Sequence, residues 1–126
     1  MLALARVLWA LPGTVLGLAA GFGSLAKPRR DGDALVFEST RGFAAFLNAR
    51  GYNAITLGQV ITSHGPLSPP VRRHEGAHVR QWTRGGVVFA VLYLLEGLRC
   101  LVLRRHPHRD NVFERRARAA EPDRVP

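Results

Sequence analysis

The run Arg73-His74-Glu75-Gly76-Ala77-His78-Val79-Arg80-Gln81-Trp82 sets two histidines four residues apart, with a glutamate directly after the first. On a helix, residues four apart lie one above the other, so both imidazoles can reach a single tetrahedral ion. Glu75 is offset from that stripe. It stands beside the ion without binding it and can take a proton from a water whose pKa the ion lowers. Gly76 and Ala77 leave space around the pair. The chemistry expected is that of one Zn2+ held by His74 and His78, with Glu75 as general base. The bland alternative is a chance motif whose histidines only pack or titrate, since a five-residue pattern with three fixed positions is short. The single cysteine, Cys100, lies in an apolar run and reads as a buried thiol, so a metal site here must use histidines and carboxylates.

A catalytic zinc keeps one position open and takes three protein ligands. Downstream candidates for the third are Glu96, His106, His108, Asp110 and Glu114. Glu114 is preferred, because it falls on a short helix expected to pack back over the site. Its competing reading is a capping box, since Asn111 and Glu114 have that spacing. His106 and His108 flank Pro107 and read equally as loop histidines.

A His-Glu-x-x-His helix followed by a glutamate on a later helix resembles the gluzincins, the glutamate-type zinc metallopeptidases, in their shortest form. The wider pattern also resembles small bacterial proteins carrying the same motif pair. The marks are Gly58, Gly65-Pro66-Leu67, the His74–Trp82 run, Tyr93 and Asn111-x-Phe113-Glu114-x-x-Ala117, and they cover about residues 34–120. The resemblance implies hydrolysis of a peptide or protein substrate whose backbone lies along a strand edge, here Ala54–Thr62. It also implies a group that steadies the oxyanion, for which Tyr93, Tyr52 and Arg99 are candidates. Gln81 and Asn111 are candidates for hydrogen-bonding support around the ligands.

These groups need elements to position them. Ser68 is a good N-cap and Pro69 suits a first helical position, so the motif helix is expected to run from there to about Thr83 and stop at Gly85-Gly86. A second apolar run, Val87 to Leu103, is 17 residues long and contains Glu96 and Arg99, spaced to pair on a helix. It reads as a buried or half-membrane helix behind the motif. His106-Pro107-His108 breaks it, and a final helix is expected over about Asn111–Ala120. Upstream, Ala34–Glu38 reads as a strand and Arg41–Arg50 as a helix. Ala54–Thr62 reads as a second strand, with Ile55, Leu57 and Ile61 alternating with Thr56, Gly58 and Thr62. The fold class is therefore α+β and mostly helical: a minimal zincin-like domain with an active-site helix, a backing apolar helix, a glutamate helix and a small β-strand pair.

Residues 1–30 form a hydrophobic N-terminal segment, residues 31–120 the metal-binding domain and residues 121–126 a tail. Val7–Ala26 is 20 residues without a charge, which suits a membrane anchor, a signal peptide ending at Ser24-Leu25-Ala26, or a helix covering the core. With 18 Lys plus Arg against nine Asp plus Glu, the formal net charge is +9, which favours an anionic membrane surface. The basic residues come in short clusters without interleaved aromatics, which speaks against nucleic acid. Membrane association is expected, with secreted or cytoplasmic locations as alternatives. A zinc metallopeptidase is the leading function. The alternative is a non-catalytic, membrane-associated structural or binding protein with a silent motif.

Overall fold

The computed structural model describes residues 2–121, so the tail expected over 121–126 lies outside the described residues apart from Glu121. The chain runs α1 (Leu2–Gly23), β1 (Arg29–Asp31), β2 (Ala34–Ser39), α2 (Gly42–Ala49), β3 (Ala54–Leu57), β4 (Val60–His64), α3 (Pro69–Val102) and α4 (Val112–Ala119). It is a mostly helical α+β fold built on one mixed sheet of order β1-β2-β4-β3. β2 and β4 pair in parallel at its centre, with Val36 opposite Ile61, while β1 and β3 are antiparallel edges.

The sheet is larger than the expected strand pair for two reasons. The span Ala54–Thr62 is a hairpin and not one strand. Leu57 pairs with Val60 across Gly58-Gln59, and Gly58 has φ 62, the value a tight hairpin needs at its first central residue. Ile61 returns in phase with Ile55 and Leu57, which masks the break at Gln59-Val60. β1 is only three residues long and carries Arg29, Arg30 and Asp31, so it has no apolar pattern to reveal it.

Alternation along the strands divides the core between the two faces. Ala34, Val36 and Ile61 are buried against Val79 of α3. On the other face, Phe37 and Val60 meet α1 at Gly21 and Gly17, where any Cβ would collide with those side chains. Gly13, Gly17 and Gly21 recur every four residues and so form one stripe along α1. That stripe lets the α1 backbone lie directly on the sheet and on Trp82. Thr14 of the same helix accepts a hydrogen bond from Gln59 N at 3.1 Å, clamping α1 to the hairpin turn.

α3 begins as expected. Ser68 is its extended N-cap and Pro69 its first residue, where a missing N–H costs nothing. The helix is broken at Gly86, with φ 53 and ψ −133, a conformation that only glycine adopts readily. Residues 78 and 93 of a straight helix would stand about 22 Å apart along its axis. Here the rings of His78 and Tyr93 have centroids 6.5 Å apart, so the two halves of α3 fold toward one another at Gly86. Trp9 of α1 packs so closely on Gly86 that a Cβ there would strike its ring and carbonyl. A second core of Ala10, Trp82 and Phe89, flanked by Leu57, Tyr93 and Phe113, locks α1, the halves of α3 and α4 together.

Candidate metal centre

The fold in α3 brings α4 over the histidines. Asn111 caps α4, its side chain accepting from Phe113 N at 3.0 Å while its own amide donates to Tyr93 O at 3.2 Å. Glu96 accepts from Val112 N at 3.2 Å and holds Arg99 in a two-bonded ion pair, which braces the same helix start. These contacts aim Glu114, in the first turn of α4, back at the motif. Its Oε2 lies 3.0 Å from His74 Nε2 and 3.1 Å from His78 Nε2. The carboxylate therefore serves the histidines, and the capping-box role falls away.

His74, His78 and Glu114 each present one donor atom, all within 4.8 Å of one another, so the group could hold a metal ion. Two ligands about 2.05 Å from a tetrahedral ion stand roughly 3.3 Å apart, close to the separations of Glu114 Oε2 from the two histidines. The hydrogen bonds behind the ring nitrogens strengthen the fit. His74 Nδ1 donates to Glu121 Oε1 at 2.7 Å, and His78 Nδ1 donates to the Gln81 amide oxygen at 2.8 Å. Gln81 is itself oriented, because its amide nitrogen donates to Phe113 O at 3.1 Å. With Nδ1 carrying the proton in each neutral ring, both Nε2 lone pairs face the same point. Glu114, His78 and Glu121 are buried, and His74 is nearly so.

The electrostatics follow from packing carboxylates against imidazoles. Burial by itself would lower the pKa of His74 and His78, but hydrogen bonds to Glu114 and the nearby charge of Glu75 more than offset it, and both are raised. Burial would raise the Glu114 carboxyl. The hydrogen bonds from His108, His74 and His78 win instead and hold it well below the usual range.

Glu75 is buried, and its Oε2 accepts a 2.6 Å hydrogen bond from the Thr56 hydroxyl of β3. It therefore lies between the motif helix and the edge strand, beside the three donors. The Thr56 carbonyl accepts from Trp82 Nε1 at 3.3 Å, which pins β3 over α3.

The remaining candidates sort by distance from this point. Tyr93 OH donates to Glu114 Oε1 at 2.7 Å, and His108 Nε2 reaches the same oxygen at 3.1 Å, so both hold the carboxylate in place. Tyr52 stands edge-on to the His108 ring, 5.5 Å between centroids, one residue further out. Arg99 is directed to Glu96 and is not brought to the centre. His106 and Asp110 shape the loop before α4: His106 Nδ1 accepts from the backbone N–H groups of His108 and Arg109, and Asp110 accepts from His106 N. Sequence reasoning missed Glu121 and the contact of His108 with Glu114. Glu121 lies seven residues, about two helical turns, beyond Glu114, and that spacing was the available signal.

Comparison with protein-family models, with curated proteins and with solved structures found no match to the chain.

Proposed function

We propose that the protein is a zinc-dependent peptidase of minimal gluzincin type, with His74, His78 and Glu114 as ligands and Glu75 as general base. The observation that carries this reading is the convergence of the three donors beside a buried glutamate that faces an edge strand. Two histidines and one carboxylate leave one position open, the donor set of a catalytic zinc site. A zinc ion bound there would supply Lewis acidity toward a peptide carbonyl and a water acidic enough to ionise near neutrality.

The chain's own groups would do the rest. Thr56 holds one oxygen of Glu75, which leaves Oε1 to take the proton of the attacking water and return it to the leaving amine. A substrate backbone would run along β3 beside Thr56, whose carbonyl already accepts from Trp82, and lay a carbonyl beside Glu75. Tyr93 and His108 hold Glu114. Glu121 and Gln81 hold the two imidazoles.

The test is hydrolysis of a fluorogenic peptide library by zinc-loaded protein beside its Glu75→Gln variant. The reading predicts cleavage by the parent and a loss of at least about 100-fold in the variant, with metal retained. Equal rates in both would contradict it, as would an inactive parent carrying one zinc per chain.

A further inference from the structure

Beyond this reading, we infer that the outer face of α1 and the outer face of α3 beyond Gly86 form one surface that seats in a bilayer containing anionic lipid. The first observation is what the exposed positions carry. From Leu4 to Phe22, the exposed residues of α1 are Leu, Ala, Val, Trp, Pro and Phe, with no polar side chain among those described. Its opposite face is the glycine stripe already used by the sheet and Trp82. Over Val7–Gly23 the helix is apolar and only one face is covered by protein, unlike the amphipathic helix of a water-facing surface.

The second observation is that α3 repeats the pattern. Between Val87 and Leu103 the exposed positions are apolar except for Arg99, and that charge is paired with Glu96. An 18-residue stretch of α3 has a mean hydropathy of 1.8, yet only 17% of it is buried within the protein. A core helix of the same composition would be mostly buried. Leu94 is 72% exposed and Leu98 57%. α1 and α3 touch where Trp9 packs on Gly86, which brings the two exposed apolar runs next to one another.

Charge selects the occupant. Lys27 and Arg30 follow α1, and Arg104 and Arg105 follow α3; all four are exposed. The formal net charge is +9. Basic residues at the ends of apolar helices suit anionic headgroups and would oppose the pairing of two identical copies. Trp9 is 47% exposed, and its indole is of the kind enriched at membrane interfaces. The metal donors lie on the inner side of the angle at Gly86. The surface would therefore hold the site beside the bilayer without covering it.

The experiment uses the full chain and reads neither zinc nor hydrolysis, so it stands or falls separately from the peptidase reading. Flotation is measured with vesicles of phosphatidylcholine alone and with phosphatidylglycerol added. A Leu94→Glu/Leu98→Glu variant is run alongside, its fold checked by circular dichroism and thermal melting. Trp82→Phe leaves Trp9 as the one indole, and its quenching by brominated acyl chains reports insertion even where the double variant fails to fold. The parent is expected to float with anionic vesicles, the double variant to lose at least tenfold of the bound fraction, and Trp9 to be quenched. Unchanged flotation of the folded variant, an unquenched Trp9, or a discrete dimer that ignores vesicles would overturn the inference. Equal binding to both lipid compositions would overturn its anionic part.

Discussion

Glu114 Oε2 and His78 Nε2 meet at 3.1 Å across 36 residues of chain, and neither could hold that position without the break at Gly86. Were α3 straight, Tyr93 and the start of α4 would be carried away from the motif, and Glu114 with them. The convergence of the three donors is thus made by a backbone conformation eight residues beyond the second histidine.

Gly86→Ala is therefore expected to harm both stability and metal binding. The positive φ costs on the order of 1–3 kcal/mol for a residue with a Cβ, and the collision with Trp9 adds to it. Thermal unfolding should fall by several degrees, and zinc affinity should fall with it. An alanine variant with parental melting temperature and zinc content would show that the break is not needed.

Glu121→Gln tests the support behind His74. The carboxylate accepts from His74 Nδ1 at 2.7 Å and fixes which nitrogen faces Glu114. Removing such a partner lowers metal affinity by about 10–100-fold. Zinc competition against a chromophoric chelator should show a loss of that size while the melting temperature of the metal-free protein moves little. Affinity unchanged within twofold would remove Glu121 from the site.

Tyr93→Phe takes away the hydroxyl that donates to Glu114 Oε1 at 2.7 Å but keeps the ring stacked on Phe113, 6.2 Å between centroids. A hydrogen bond to a charged group contributes about 1.5–3 kcal/mol. Zinc affinity should fall by about tenfold or more. If hydrolysis were lost with affinity intact, Tyr93 would instead act on the substrate.

The pH dependence should differ between the metal-free and zinc-bound protein. Without metal, the raised pKa values of His74 and His78 stabilise the fold fully below 6.5, and this is lost as pH rises through their folded values. The lowered Glu114 contributes above 4.5 and is lost as pH falls. Metal-free stability should therefore peak between these limits. Zinc must displace protons from both imidazoles, so the gain in melting temperature on adding it should be larger near pH 8 than near pH 6. A gain independent of pH would mean that the histidines are not ligands.

What the sequence made legible was local. His74, Glu75 and His78 could be placed because four residues is a helical repeat, and Asn111 and Glu114 because a cap announces the first turn of α4. The fold class followed from the helical and alternating runs. The hairpin at Gly58 stayed hidden, since Ile61 falls back in phase with Ile55 and Leu57 although Gln59 and Val60 break the alternation at the turn. The contact of His108 stayed hidden because it depends on how α4 lies over α3, and the two-turn spacing of Glu121 from Glu114 does not by itself say that it meets His74. Gly85-Gly86 could be read as the end of a helix, whereas the fold-back at that point depends on Trp9, 77 residues earlier.

Zinc content, measured by mass spectrometry on purified protein beside the His78→Ala and Glu75→Gln variants, tests the central claim most directly. The account predicts close to one zinc per chain in the parent, near-complete loss in His78→Ala and retention in Glu75→Gln. A parent without bound zinc after incubation with the ion, or equal content in parent and His78→Ala, would contradict it.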